Sequence, residues 1–297
     1  MEGPLTRMFA RKPFLLLDGA MGTELQRRGV DTGLPLWSAN ALLVHPETVQ
    51  EIHQEYIAAG AEIITTNTFR TTRRMMRRAN LPDRSRQLTA HAVELAKRAR
   101  AAFPEKEILV AGSIAPLEDC YRPDRVPPER ELEEEHAELA GWLAEDGVDF
   151  ILIETMNTMR EAYAACRAAV ATGKEVIVSF ICDRYGELYG GDPLEASIKT
   201  LEQVHPTAFS INCVSPRFMG KAVATLRQTT ALPFAVYANV GVPENQKRGW
   251  EFTRDIPEDD YALYAREWRR NGASIIGGCC GTTPEYIRAV SKVLRML

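Results

Sequence analysis

Cys279 and Cys280 stand side by side in the glycine-rich stretch GGCCG, and a third cysteine, Cys213, ends the apolar run AFSINC. Adjacent cysteines are poorly placed for a disulfide with each other, whereas thiolates are ligands that zinc prefers. Three protein sulfurs leave a tetrahedral ion one open position, which marks a catalytic site. Gly277, Gly278 and Gly281 give the backbone freedom to turn both adjacent sulfurs towards one ion. The alternative is that these cysteines are small buried hydrophobes. The other three, Cys120, Cys166 and Cys182, are assigned to packing. His45, His53, His91, His136 and His205 form no H-x-x-x-H pair and cluster at no strand end, so a histidine zinc site is not expected. Neither a G-x-S-x-G elbow nor a P-loop is present.

Two carboxylates end apolar runs in the same way. Glu154 closes DFILIE, where it can hold an ammonium group, act as a general base or form an ion pair at the end of the strand. Asp18 closes FLLLD and precedes Gly19, so the turn can present backbone N–H groups to a carboxylate. Asn67, Asn212 and Asn239 occupy equivalent places. Trp37 lies in a long connection after the first run, suited to packing a cation or to anchoring the loop.

The elements that must position these residues are legible as an alternation. Eight short apolar runs, ending at Asp18, Asn67, Ser113, Glu154, Cys182, Cys213, Asn239 and near Gly278, read as buried parallel strands. Helical patterns between them run from Pro46 towards Gly60, Arg84 to Phe103, Glu129 to Asp146, Arg160 to Thr172, Pro193 to Val204, Arg217 to Arg227, Pro257 to Arg270 and Pro284 to Leu297. Eight strands alternating with eight helices predict a closed (β/α)8 TIM barrel in one domain spanning residues 1–297. A doubly wound sheet is the alternative, but no G-x-G-x-x-G follows the first strand. In such a barrel the carboxyl ends of the strands form the active face, so the Cys, Asp, Glu and Asn termini converge there. The connections 18–46, 113–128 and 239–256 are long enough to shape that face, and the last, rich in turn residues, reads as a moving lid.

The 297 residues carry a net charge of -4, which gives no basic field for nucleic acid or anionic membranes. The basic run Arg70 to Arg78 reads as a solvated helix face. No apolar stretch is long enough to span a bilayer and FLLLD is too short for a signal-peptide core, so the expected compartment is the cytosol. No heptad specifies an oligomeric state, which leaves a homo-oligomer open.

With these residues in view, the sequence is similar to the homocysteine S-methyltransferase family along nearly its whole length. The matching segments, in order, are LLLDGAMGTELQRRG, PLWSANALL, YIAAGAEIITTNTF, VAGSIAP, GVDFILIET, SINC, YANVG and GGCCGTTPEYIRAV. The resemblance implies that Cys213, Cys279 and Cys280 hold Zn2+ and that homocysteine and a methyl donor are the partners. It implies that Glu154 holds the substrate amino group, with Asp18, Gly19 and Thr66 at the same amino-acid end, and that Trp37 packs the donor. Asn239 is counted with the substrate-binding residues. Betaine-using members carry a tyrosine after the second-strand aromatic, where this chain has Arg70 after Phe69. The short, free-standing members that use S-methylmethionine or S-adenosylmethionine are the better match. Still open are a selenol acceptor, a metal-dependent hydrolase or lyase using Asp18 and Glu154, and a non-catalytic barrel with structural zinc.

Overall fold

The computed structural model describes residues 2–241 and 255–296, together with the backbone of 243–245 and 251–252. The strands in chain order are β1 (Leu15–Leu16), β2 (Ile63–Thr65), β3 (Leu109–Ile114), β4 (Phe150–Met156), β5 (Glu175–Phe180), β6 (Ala208–Asn212), β7 (Phe234–Ala238), β8 (Pro243–Asn245), β9 (Glu251–Phe252) and β10 (Ile275–Gly278). The helices are α1 (Pro4–Arg11), α2 (Gly22–Arg27), α3 (Ala41–Val44), α4 (Pro46–Ala59), α5 (Arg73–Arg78), α6 (Ser85–Ala101), α7 (Glu129–Glu145), α8 (Met159–Val170), α9 (Leu194–Glu202), α10 (Pro216–Thr229), α11 (Glu258–Arg270) and α12 (Pro284–Leu294).

Eight strands pair in parallel in the order β1-β10-β7-β6-β5-β4-β3-β2, and a bridge between Leu17 and Ile63 joins β1 to β2. The expected (β/α)8 barrel is therefore present, with all eight anticipated strands and all eight anticipated helices. Alternation along each strand sorts the apolar side chains into two layers. Leu15, Ile63, Phe150, Ile177, Ala208 and Ile275 fill the barrel interior. Leu16, Ile64, Val110, Ile151, Val178 and Ile276 pack in the larger cluster shared with the surrounding helices.

Three helices, α1, α2 and α3, were not legible in the sequence, and α5 was read as a helix face but with the wrong surroundings. Helix α1 covers the amino end of the barrel, placing fully buried Leu5 and Met8 against the interior cluster. Glu175 accepts from the N–H groups of Leu5 (2.7 Å) and Thr6 (2.8 Å), satisfying the free donors of the first turn. Helices α2 and α3 lie within connection 18–46. Helix α5 corrects the reading of the basic run: Arg70 is buried, and Arg74 is bound by Glu118, Glu131 and Glu135. Arg78 also holds Glu118. The facing acidic residues of α7 and of connection 113–128 turn a presumed solvent face into a partly buried ion-pair network. The proposed lid falls in part on residues 242, 246–250 and 253–254, which lie outside the described residues.

Candidate active site

Three strand ends bring the cysteines together. Asn212, the last residue of β6, is fixed by the Thr155 N–H (3.0 Å) and Ser179 hydroxyl (2.7 Å) on its Oδ1, while its Nδ2 donates to Thr155 Oγ1 (2.9 Å). Cys213 follows in the left-handed region at φ 58°, an uncommon conformation for a residue with a side chain. After β10, the Cys279 N–H donates to Ala238 O (2.8 Å). Gly278 is required there because a Cβ would come within 2.4 Å of the Thr282 hydroxyl. Gly281, at φ 82°, supplies the turn after the pair.

Asn239 ties the two cysteine segments together. Its Nδ2 donates to Cys213 O (2.9 Å) and its Oδ1 accepts the Cys280 N–H (3.0 Å). Both ends of the amide thus bond to the backbone of the cysteine segments. Asn239 therefore braces the two cysteine segments.

The Sγ atoms of Cys213, Cys279 and Cys280 all lie within 4.8 Å of one another. Zinc–sulfur bonds of 2.3 Å in a tetrahedron separate sulfurs by roughly 3.8 Å. The trio therefore fits one ion after small side-chain adjustments. Among the described residues no fourth histidine, cysteine or carboxylate joins the group. Hydrogen bonds from Cys279 and Cys280 hold the Cys213 thiol well below the usual range, and the same contacts raise those of Cys279 and Cys280.

The sulfurs border a cavity with about 780 Å³ of empty volume, part of it open to solvent. Asp18, Gly19, Trp37, Thr66 and Glu154 stand on its wall with the cysteines. Burial pushes Asp18 up to about 8, offset by hydrogen bonds from the Thr65 N–H (2.7 Å) and hydroxyl (3.1 Å) and augmented by the charge of Glu154. Burial pushes Glu154 up to about 7, opposed by the Ser113 hydroxyl, which donates to it. Two acids held this way favour a cationic group between or beside them. The Thr66 hydroxyl accepts from the Ser113 N–H (3.0 Å) and shares a hydrogen bond with Thr68, so it also steadies the residue that holds Glu154. Trp37 is both wall and anchor: it is 5% exposed, and a Cβ on Gly22 would come within 2.5 Å of its indole.

Connection 113–128 adds residues missed from the sequence. Cys120, assigned to packing, does pack with Trp37 and lies on the cavity wall as well. Tyr121 places its hydroxyl 3.4 Å from Cys213 Sγ. Phe69 and Tyr237 complete the aromatic lining. The unusual length of the connection was the available signal for Cys120 and Tyr121; spacing alone does not reveal which of its side chains turn inward. Cys166 and Cys182 are core residues, as expected.

A family model for homocysteine S-methyltransferases matches residues 15–294. The chain belongs to the homocysteine S-methyltransferase family. Among members of this family, homocysteine S-methyltransferase 3 of Arabidopsis thaliana is 32% identical, covering 95% of this chain and 90% of the relative. The selenocysteine methyltransferase of Astragalus bisulcatus is 29% identical over 99% of this chain and 97% of its own. The metallated form of the Escherichia coli homocysteine methyltransferase superposes with a TM-score of 0.86 at 31% identity, covering 97% of this chain and 99% of that one. No helix among the described residues is long and apolar enough to cross a membrane.

Proposed function

We propose that this chain transfers a methyl group from a sulfonium donor, S-methylmethionine or S-adenosylmethionine, to the thiol of L-homocysteine, yielding methionine. The observation that carries this reading is the meeting of three cysteine sulfurs within 4.8 Å at the edge of a cavity that also holds Asp18 and Glu154. Cys213, Cys279 and Cys280 would hold Zn2+, which when bound supplies a Lewis acid that favours the thiolate form of a coordinated thiol.

The chain's own residues divide the remaining work. Glu154 and Asp18 receive the substrate ammonium, Gly19 offers its turn to the carboxylate and Thr66 braces Ser113 beneath Glu154. Trp37 packs the positively charged donor by cation–π attraction. A free thiol ionises near 8.5, so little thiolate exists at neutral pH without such activation. A sulfonium donor departs as a neutral thioether and requires no general acid. Alignment of the two substrates supplies several kcal/mol of the acceleration.

A selenol acceptor is a second reading, favoured by the similarity to a selenocysteine methyltransferase. A hydrolase using Asp18 and Glu154 as metal ligands is disfavoured, because neither belongs to the metal-competent group. The test is a donor panel of S-methylmethionine, S-adenosylmethionine and betaine, run with homocysteine and selenocysteine, with and without a zinc chelator. Chelator-sensitive methionine formation from a sulfonium donor is expected. Full activity in chelator, or no transfer from any sulfonium, overturns the proposal.

A further inference from the structure

The connection between β3 and α7 is fastened at Leu117, Glu118 and Cys120. Glu161 Oε1 accepts the Leu117 N–H at 2.7 Å. Arg74 and Arg78 grip the Glu118 carboxylate at 3.1 and 2.5 Å. Asn157 Nδ2 donates to Cys120 O at 2.9 Å. Glu118, Asn157 and Glu161 are all buried. The next residue is Tyr121, whose ring stands edge-on to Tyr189 at 5.9 Å and whose hydroxyl reaches the Cys213 sulfur at 3.4 Å. A surface tyrosine in a slack loop would not be directed this way.

We propose that Tyr121 is a positioning residue that shields the Cys213 sulfur, so that a donor methyl passes to the substrate and not to the protein. The inference rests on the zinc reading above. A cysteine bound to metal as thiolate carries no proton, so in the O–H···S contact the tyrosine must be the donor. Such a bond draws on a sulfur lone pair and makes that sulfur a poorer nucleophile. The need is specific to this cavity, because Tyr121 and Cys213 both border the space into which the electrophilic methyl must come. Without shielding, a lone pair of Cys213 would form a new S–CH3 bond while the donor's C–S bond breaks, its electron pair leaving with the neutral thioether. Cys213 would end as a thioether, uncharged and a weak ligand. Asn212 Nδ2, 4.0 Å from Cys279 Sγ, is a longer contact of the same kind.

The test uses the full chain loaded with zinc, without homocysteine, exposed to iodomethane and followed by peptide mass spectrometry. Tyr121→Phe keeps the ring and removes the hydroxyl; Tyr121→Leu removes both. Both variants are expected to gain methyl on Cys213 about tenfold faster than the wild type, at the low end of what partners outside the coordination sphere contribute at metal sites. With cobalt(II) in place of zinc, the sulfur-to-metal charge-transfer band of Tyr121→Phe should move to lower energy. Unchanged labelling and an unmoved band in a fully loaded Phe variant overturn the inference. Faster labelling in Leu alone also overturns it, because ring packing would then be the cause. A Phe variant that folds but no longer retains metal overturns it too, since the hydroxyl would be needed to bind the ion, not to shield a bound sulfur. A wild-type chain that takes up no metal removes the zinc reading and this inference together.

Discussion

Replacing Glu154 by Gln separates what the carboxylate costs the fold from what it does for a substrate. Burial lifts this acid from an ordinary 4.5 to about 7. The folded chain therefore holds the proton more tightly than the unfolded chain, so its stability falls as pH rises through the interval between those values. At 1.36 kcal/mol per decade, the cost of the ionised form reaches roughly 3 kcal/mol by pH 8, against about 1 kcal/mol at pH 5. Gln does not titrate and carries none of this dependence. The Gln variant should thus gain about 2 kcal/mol on the wild type between pH 5 and pH 8, whatever constant offset comes from altering the Ser113 contact. Asp18 adds to the effect in the same direction, because the charge of Glu154 helps to raise it. Urea unfolding of metal-free, substrate-free protein at the two pH values measures the difference. In the loaded enzyme the same change should raise the KM for homocysteine by roughly ten- to a hundredfold, the worth of a hydrogen bond to a charged group. A stability difference identical at both pH values would refute the assignment of a buried, proton-retaining acid at position 154.

Three further outcomes follow from the geometry. Cys280→Ala should abolish both metal retention and methionine formation, measured as metal per chain and by product analysis; full transfer without metal would contradict the ligand set. Asn239→Ala removes two buried hydrogen bonds between the cysteine segments, so it should cost about 2 kcal/mol of stability and weaken zinc binding by roughly ten- to a hundredfold. Competition with a chromophoric chelator reads the affinity, and an unaltered value would show that Asn239 does not hold the ligands in place. Gly22→Ala sets a Cβ within 2.5 Å of the Trp37 indole, which should raise the KM for the donor more than that for homocysteine; an equal change in both would place Trp37 outside the donor site.

The barrel was legible because each strand carries the same double signal, an apolar run closed by a polar residue. DFILIE and AFSINC show both the layer that packs and the face that reacts. The cysteines were legible for the same reason, since their position at strand ends narrows their surroundings to one rim. Asn239 shares that position, but that its amide ties the two cysteine segments together was not legible, because the direction of a side chain at a strand end depends on neighbouring segments distant in sequence. Arg74 and Arg78 were misread because their acidic partners lie on α7 and in the connection before it, some 40 to 60 residues away. Tyr121 was missed because a long connection has no periodicity from which orientation can be read. Helix α1 was missed because its packing surface is two side chains that find their partners only once the barrel has closed.

That first helix also settles how the protein can be handled. Pro4 begins it and has no N–H to continue a helix backwards, while Leu5 and Thr6 spend theirs on Glu175. A polypeptide joined ahead of Gly3 therefore has no helical register to inherit and leaves the Glu175 contacts intact. Because α1 sits at the end of the barrel opposite the cysteines, a tether attached there would fix the molecule to a surface with its reactive rim turned towards the bulk solution.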